Sequence, residues 1–267
     1  MRMKSWAAMI LAAVVVGSTV PPAGPVGATG LGSSAPTLGT NAIISPDDRF
    51  QVSPTTSFPA SATVLLTFTG GRCTGFMISP DTLATAAHCV HSGPGGSWHT
   101  NVVATPGFDG VTAPYGSCMA KSLHTSSSWT TNDAPENDYA AVKLNCPLGN
   151  VTGWYKLDTL QLPVGACTIN QAYPVDRPGQ WASKDYIRNA TDRLLYYQHD
   201  SNGGQAGSPI FATDEPDRCG TYPKPRVPLP PRTVMGIFRG YAGNNLNYGV
   251  RFTYDVISSM QYWSSLP

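Results

Sequence analysis

The chain has 267 residues and a formal net charge of +1, and only 12% of its residues are charged. This length allows one large all-β domain or two small ones, and 41% hydrophobic residues are enough to build a core. There is no basic excess and no run of Lys and Arg, so nucleic acid is not a predicted partner.

The first residues have the pattern of an export signal. Arg2 and Lys4 precede an apolar run from Trp6 to Val16, which is too short to span a bilayer but suits the core of a signal peptide. We therefore expect a secreted, extracellular protein with no membrane contact after signal cleavage. The predicted divisions are a signal peptide at 1–28, a short propeptide or linker at 29–40, and a folded domain at 41–267.

Short segments rich in Val, Thr, Phe and Tyr recur along the rest of the chain, separated by clusters of Gly, Pro, Asn or Asp. This spacing is typical of an all-β barrel or sandwich. The predicted strands are Ala62–Phe68, Cys73–Ile78, Thr82–Ala86, Tyr139–Leu144, Leu194–Gln198, Ser208–Ala212, Thr233–Phe238 and Tyr248–Thr253. One helix is predicted at the C-terminus, because Val256, Met260 and Trp263 fall on one helical face. Residues 214–232 are rich in proline and are predicted to form a surface loop.

The six cysteines all follow the predicted signal and linker. In an oxidising compartment they would form three disulfides, for which the sequence alone permits 15 connectivities. The spacing of Cys and His does not match a zinc site, and there is no EF-hand loop. We therefore predict no metal and no cofactor.

Three segments carry residues suited to nucleophilic catalysis. His88 ends a strand of small residues in Thr85–Cys89, and Asp138 lies at the start of an alternating strand. Ser208 follows Gly203–Gly207, whose small residues allow a sharp turn that directs backbone N–H groups into one concavity. The other histidines lack such flanks and are interpreted as surface or packing residues.

A serine hydroxyl becomes a strong nucleophile when a neutral imidazole accepts its proton and a carboxylate orients that imidazole. The chain order His, Asp, Ser is that of the chymotrypsin arrangement. We predict that Ser208 attacks the scissile carbonyl, His88 transfers the proton, and Asp138 orients His88. The backbone N–H groups of Ala206 and Ser208 are the predicted oxyanion donors.

These segments resemble those of chymotrypsin-fold serine endopeptidases, and more closely those of bacterial glutamyl endopeptidases of the bacillar and staphylococcal type. The resemblance covers about residues 41–263. The segments that carry it are Thr85–Cys89, Asp138–Val142, Ala206–Ile210, Ser45–Arg49, Cys73–Ile78, Gly153–Tyr155 and Gln261–Trp263.

The resemblance implies an all-β, trypsin-like serine protease fold of two six-stranded antiparallel barrels with a C-terminal helix. His88 and Asp138 would come from the first barrel and Ser208 from the second. It implies a secreted, monomeric serine endopeptidase that acts on protein or peptide substrates. The disulfides that it implies, directly or by leaving two cysteines over, are Cys73–Cys89, Cys167–Cys219 and Cys118–Cys146.

The sequence departs from this family at the expected specificity pocket. Glutamyl endopeptidases are expected to hold the substrate carboxylate with a histidine on the strand where this chain has Phe238. Phenylalanine donates no hydrogen bond, so we expect strict Glu specificity to be lost in favour of neutral or apolar side chains. Ser201 and Asn202 would supply polar contacts at the base of the pocket. Asp200 is the one acidic residue that could select a Lys or Arg side chain. Arg239 is expected to face away from the pocket unless Gly240 bulges the strand.

An alternative is a catalytically silent binding or adhesion protein on the same fold. An intact triad would be evidence against it.

Overall fold

The computed structural model describes residues 42–44, 46–213, 219 and 230–267. The predicted signal peptide, the predicted linker and most of the proline-rich segment lie outside the described residues. The described strands are β1 (Phe50–Gln51), β2 (Thr63–Phe68), β3 (Gly71–Met77), β4 (Thr82–Thr85), β5 (Val103–Pro106), β6 (Cys118–Thr125), β7 (Ala140–Leu144), β8 (Lys156–Leu157), β9 (Cys167–Ala172), β10 (Trp181–Tyr186), β11 (Asn189–Ala190), β12 (Leu194–Tyr197), β13 (Pro209–Ala212), β14 (Thr233–Gly243) and β15 (Leu246–Arg251). The α-helices are α1 (Ser127–Asn132), α2 (Gly149–Thr152) and α3 (Tyr254–Ser265).

The first half of the described chain forms a closed barrel of six antiparallel strands, in the order β2-β3-β4-β7-β6-β5. Val64 and Leu66 alternate along β2 and are fully buried, as are Phe76, Leu83 and Val142 on neighbouring strands. Side chains at every second position point to the same face of a strand, which explains how these residues fill one interior. The barrel predicted for this half of the molecule is confirmed.

The second half forms a nine-stranded sheet around a separate core that contains Ile187, Leu195 and Ile210. Six longer strands form its body, in the order β10-β9-β13-β14-β15-β12. Three strands of two residues extend it: β1 pairs with β10, β11 pairs with β12, and β8 runs parallel to β14. The trypsin-like all-β architecture is therefore confirmed. The second half has nine strands where six were predicted, and the three additional strands are these short ones.

All eight predicted strands are present with shifted ends. Seven strands were not predicted, namely β5, β6, β9 and β10 and the two-residue strands β1, β8 and β11. The sequence of β9, Cys-Thr-Ile-Asn-Gln-Ala, shows the reason, because it has two β-branched residues and no aromatic residue. The predicted C-terminal helix is α3, in which Val256 and Met260 are fully buried. Within the residues described, no helix is long and apolar enough to span a membrane.

Three disulfides are present, and they join the pairs that the resemblance implied. They are Cys73–Cys89, Cys118–Cys146 and Cys167–Cys219. The first two lie in the barrel and the third joins β9 to a residue beyond β13.

The segment before β1 is attached to the second sheet through Asp200. One carboxylate oxygen accepts a hydrogen bond from Ile44 N–H at 2.6 Å, and the other accepts from Asp48 N–H at 2.8 Å. Ala42 also pairs with Ser201 in an isolated antiparallel bridge. Asp200, which is almost fully buried, therefore serves to fix this segment in place.

The Asp48 carboxyl, close to Asp200, should give stability a distinctive pH dependence. Burial and the charge of Asp200 raise the pKa of Asp48 from 3.8 to about 6. Between about pH 4 and 6 the unfolded chain therefore loses this proton before the folded chain does, so ionisation lowers stability as the pH rises. We expect Asp48→Asn to abolish this fall, measured as the difference in Tm between variant and wild type from pH 4 to 7.

Asp47→Asn is the matched control, because the hydrogen bond from Arg49 lowers the pKa of Asp47. This variant should lose stability relative to wild type as the pH rises from 3 to 5. A Tm difference for Asp48→Asn that does not change with pH would contradict this account of Asp48.

Candidate active site

His88 and Asp138 meet because neighbouring strands of the barrel carry them. His88 lies in a short 3₁₀ turn just after β4, Asp138 lies just before β7, and Thr85 pairs with Ala140 between these strands. The His88 backbone N–H donates to Asp138 Oδ1 at 2.9 Å, and His88 Nδ1 lies 2.7 Å from Asp138 Oδ2. The structure thus brings together two of the three residues of the predicted triad.

A third charged group, Arg239, contacts the same carboxylate. Arg239 Nε lies 2.9 Å from Asp138 Oδ2, and Asp138 is fully buried. Burial would raise the pKa of Asp138, but the charges of His88 and Arg239 and the hydrogen bonds from His88 hold it below its ordinary value. Because an ionised carboxylate only accepts hydrogen bonds, His88 Nδ1 is the donor in this contact.

Arg239 reaches Asp138 from a bulge in β14. The pairing of β14 with β15 shifts register between Phe238 and Gly240, so Arg239 is the extra residue. A bulge redirects a side chain that regular alternation would place elsewhere. The guanidinium also donates to the hydroxyl of Tyr248, and the Arg239 side chain remains 27% exposed. Sequence reasoning foresaw the bulge as a possibility but missed the contact with Asp138.

Ser208 does not lie where the predicted mechanism needs it. Its Oγ accepts a hydrogen bond from Asn170 Nδ2 at 2.6 Å, and Ser208 is fully buried. Within the described residues this hydroxyl has no hydrogen bond with His88. Ser208 precedes β13 at the same alternation as Ile210, which lies in the core of the second sheet. This alternation was the signal in the sequence that could have excluded Ser208 as the nucleophile.

The loop before Ser208 packs tightly against the residues that lead to His88. Gly207 has φ +86°, and a Cβ there would lie 2.1 Å from Thr85 Oγ1 and 2.2 Å from the Thr74 carbonyl oxygen, so only glycine fits. The Ala206 carbonyl accepts from Thr74 N–H at 2.8 Å. Ala206, two residues before Ser208, is therefore held against the strands that position the histidine.

The Cys89 sulfur lies near both the His88 ring and the Ala206 carbonyl group. A ring nitrogen of His88 lies within 4.8 Å of Cys89 Sγ, and that sulfur lies 3.7 Å from the Ala206 carbonyl oxygen. Both Cys89 and His88 belong to the 3₁₀ turn after β4.

The backbone N–H groups of this loop that are free to donate indicate which residue is placed as a nucleophile would be. In the chymotrypsin arrangement the oxyanion donors are the N–H of the nucleophilic residue and the N–H two residues before it. The predicted donor Ser208 N–H is instead used, because it donates to the Gln205 carbonyl at 3.2 Å. Neither Gly204 N–H nor Ala206 N–H donates a hydrogen bond within the described part of the chain. This pair fits a nucleophile at position 206, where the chain has alanine.

The residues near His88 do not form a metal site. Among the described residues, one group of three His, Cys, Asp or Glu ligand atoms lies close enough together to hold an ion: Cys73, His88 and Cys89. Cys73 and Cys89 are joined in a disulfide, so neither sulfur is available as a thiolate ligand.

The residues expected to form the specificity pocket lie around the second sheet. Phe238 is buried, and its ring centroid lies 6.0 Å from that of Tyr197. Ser201 Oγ accepts from Asn247 Nδ2 at 3.2 Å, and Asn202 Oδ1 accepts from Gly203 N–H at 2.7 Å. Both polar side chains therefore already have partners, as does Asp200 in its contacts with the N-terminal segment.

If Ser208 is a structural residue, its removal should lower stability. Ser208→Ala leaves the buried Asn170 amide with one partner fewer, and we expect a loss of about 1–3 kcal/mol in the free energy of unfolding. Denaturant titration measures this loss. Ser127→Ala, at an exposed serine, is the control, and it should change stability by no more than about 0.5 kcal/mol. Equal stability of the two variants would show that the Asn170 contact contributes nothing.

Known proteins with similar sequences and folds confirm the resemblance. The pattern of the family described as Trypsin matches residues 49–220. The chain is 34% identical over 249 residues to an extracellular metalloprotease of Bacillus subtilis, covering 90% of this chain and 75% of that protein. It is also 34% identical over 227 residues to a glutamyl endopeptidase of Bacillus licheniformis, covering 84% and 69%.

Among solved structures, a Glu endopeptidase in complex with MPD superposes with a TM-score of 0.74 at 23% identity, covering 84% of this chain and all of that one. This comparison supports the fold, and the sequence matches support the family. The chain therefore belongs to the trypsin-like serine proteases, a family of peptide-bond hydrolases.

Proposed function

We propose that this protein is an exported member of the serine protease family that binds extended peptides at the His88 site without forming an acyl-enzyme. The observation that carries the proposal is the alanine at position 206, whose own N–H and that of Gly204 have no hydrogen-bond partner among the described residues. The hydroxyl of Ser208, the nucleophile predicted from the sequence, accepts a hydrogen bond from Asn170 and is buried, which supports a structural role for this serine. The silent binding protein considered above as the alternative is therefore favoured.

The site has a base and two backbone donors but no hydroxyl group at position 206. A methyl group has no lone pair with which to attack a carbonyl carbon, so the His88 base has no proton to remove. Loss of one triad member lowers turnover by about 10⁶, although the oxyanion donors still contribute to binding and to residual catalysis. The amides of Gly204 and Ala206 are suited to hold a peptide carbonyl oxygen. We infer that protein or peptide chains are the ligands.

Export and processing belong to the same proposal. The three disulfides are typical of an oxidising compartment, and the Bacillus subtilis relative is named as extracellular. We propose that residues 1–28 are removed as a signal and that the mature chain begins near 41–44. The pairing of Ala42 with Ser201 supports this boundary. N-terminal sequencing of the secreted protein should give a start in this range, and a start near Thr29 would refute it.

The pocket side chains suggest a ligand preference that differs from that of a glutamyl endopeptidase. Phe238 offers no hydrogen bond to an acidic side chain, and the Asp200 carboxylate is occupied by two backbone N–H groups. We therefore propose that neutral or apolar side chains are preferred in this pocket.

The direct test is to restore the hydroxyl where the geometry calls for it. Wild-type protein should not react with a fluorophosphonate probe, because that probe labels only an activated serine. Ala206→Ser should react, and it should hydrolyse casein or a mixed peptide substrate at a rate several orders of magnitude above wild type. Peptide mapping of the labelled protein should place the probe on residue 206.

Two matched double variants show whether the probe reacts with the serine at position 206 or with Ser208. Ala206→Ser with Ser208→Ala should keep its labelling, whereas Ala206→Ser with His88→Ala should lose it. Labelling of the wild-type protein on Ser208, and its loss in Ser208→Ala, would overturn the proposal and restore Ser208 as the nucleophile.

A further inference from the structure

We infer that the site recognises the free C-terminal carboxylate of a peptide in preference to an internal peptide bond. This inference rests on the proposed function, because it requires a site that binds without cleaving. The ligand class would be peptides with a free carboxyl end that an endopeptidase has produced. The reaction that supplies the ligand is therefore peptide-bond hydrolysis by another enzyme.

The first argument comes from the donors. Gly204 N–H and Ala206 N–H are separated by one residue and have no partner among the residues described. The N–H of Gln205, between them, donates to the Asn202 carbonyl, so these two groups are the free donors of the turn among the residues described. Backbone N–H groups of a turn can bind an anion, and capture of a C-terminal carboxylate is a known use of such a site. A hydrogen bond to a carboxylate is about twice as strong as one to a neutral carbonyl. The donors therefore favour a charged chain end over an internal carbonyl.

The second argument comes from position 206 itself. A carboxylate has two oxygens, whereas a peptide carbonyl has one, so a bound chain end brings a second oxygen towards the residue that would carry the nucleophile. The lone pairs of a serine oxygen at this position would repel that second carboxylate oxygen. The methyl group of Ala206 has no such lone pairs.

The third argument is electrostatic. The buried Asp138 carboxylate would repel an incoming anion if it were unpaired. Arg239 Nε lies 2.9 Å from Asp138 Oδ2, and the Arg239 side chain is 27% exposed. The Arg239 charge offsets the Asp138 charge, so the pair adds no net negative charge beside the imidazole. Arg239 is thus a positioning and charge-balancing residue for the carboxylate site.

The experiment compares two peptide libraries that differ in one group. Fluorescein-labelled hexapeptides, randomised at the last two residues, are prepared with either a free C-terminal carboxylate or a C-terminal amide. Binding to the full wild-type protein is measured by fluorescence anisotropy. We expect the free-acid library to bind at least about tenfold more tightly, which corresponds to the stronger hydrogen bonds of a charged acceptor.

Variants at two arginines test which charged group contributes to the preference for the free acid. Arg239→Met should weaken binding of the acid more than binding of the amide, so that the ratio of the two affinities falls. Arg193→Met, which removes a guanidinium paired with Asp255 outside the site, should leave the preference intact. If Arg239→Met does not fold, Arg239→Lys keeps the positive charge and should keep most of the preference. The comparison of the two libraries on wild-type protein decides the inference in either case.

Each result has a distinct meaning. Equal affinity for both libraries, or tighter binding of the amide, would overturn the carboxylate site and leave peptide binding standing. Cleavage of the peptides by wild-type protein, detected by mass spectrometry, would overturn the proposed function. A lack of binding to either library would overturn both.

Discussion

The buried carboxylate of Asp138 is the interaction on which the site depends. From the barrel it receives two hydrogen bonds from His88, and from the second sheet it receives the guanidinium of Arg239. An unpaired charge at this depth would cost several kcal/mol, so these partners are a condition for its presence. The same contacts fix the His88 ring in one tautomer and join the two halves of the protein at the point where a peptide would bind.

The loop from Gly203 to Gly207 is the second constraint. Its fit against Thr74 and Thr85 leaves no space for a side chain at Gly207. In the same loop the N–H groups of Gly204 and Ala206 have no hydrogen-bond partner among the described residues. The proposed oxyanion donors, Gly204 N–H and Ala206 N–H, both belong to this turn. A site of this kind keeps its capacity to bind because binding depends on the backbone, whereas turnover depends on a single side-chain oxygen.

Part of this arrangement could be predicted from the sequence. His88 and Asp138 flank strands with clear patterns, and the pairing of those strands brings them together. A serine after small residues matches the motif and predicts Ser208 as the nucleophile. In the structure its hydroxyl accepts from Asn170 and its N–H donates to the Gln205 carbonyl, contacts that the motif does not indicate. Arg239 could not be placed, because its direction depends on a register shift between two strands and on a contact between residues 101 positions apart in the sequence.

The most direct test of the account is a crystal structure of the wild-type protein with a bound peptide that ends in a free carboxylate. We expect a ligand oxygen about 2.7–3.1 Å from both Gly204 N and Ala206 N, with Ser208 Oγ still on Asn170. Ser208 Oγ at about 2.6–3.2 Å from His88 Nε2, with the ligand carbon beside it, would contradict the account.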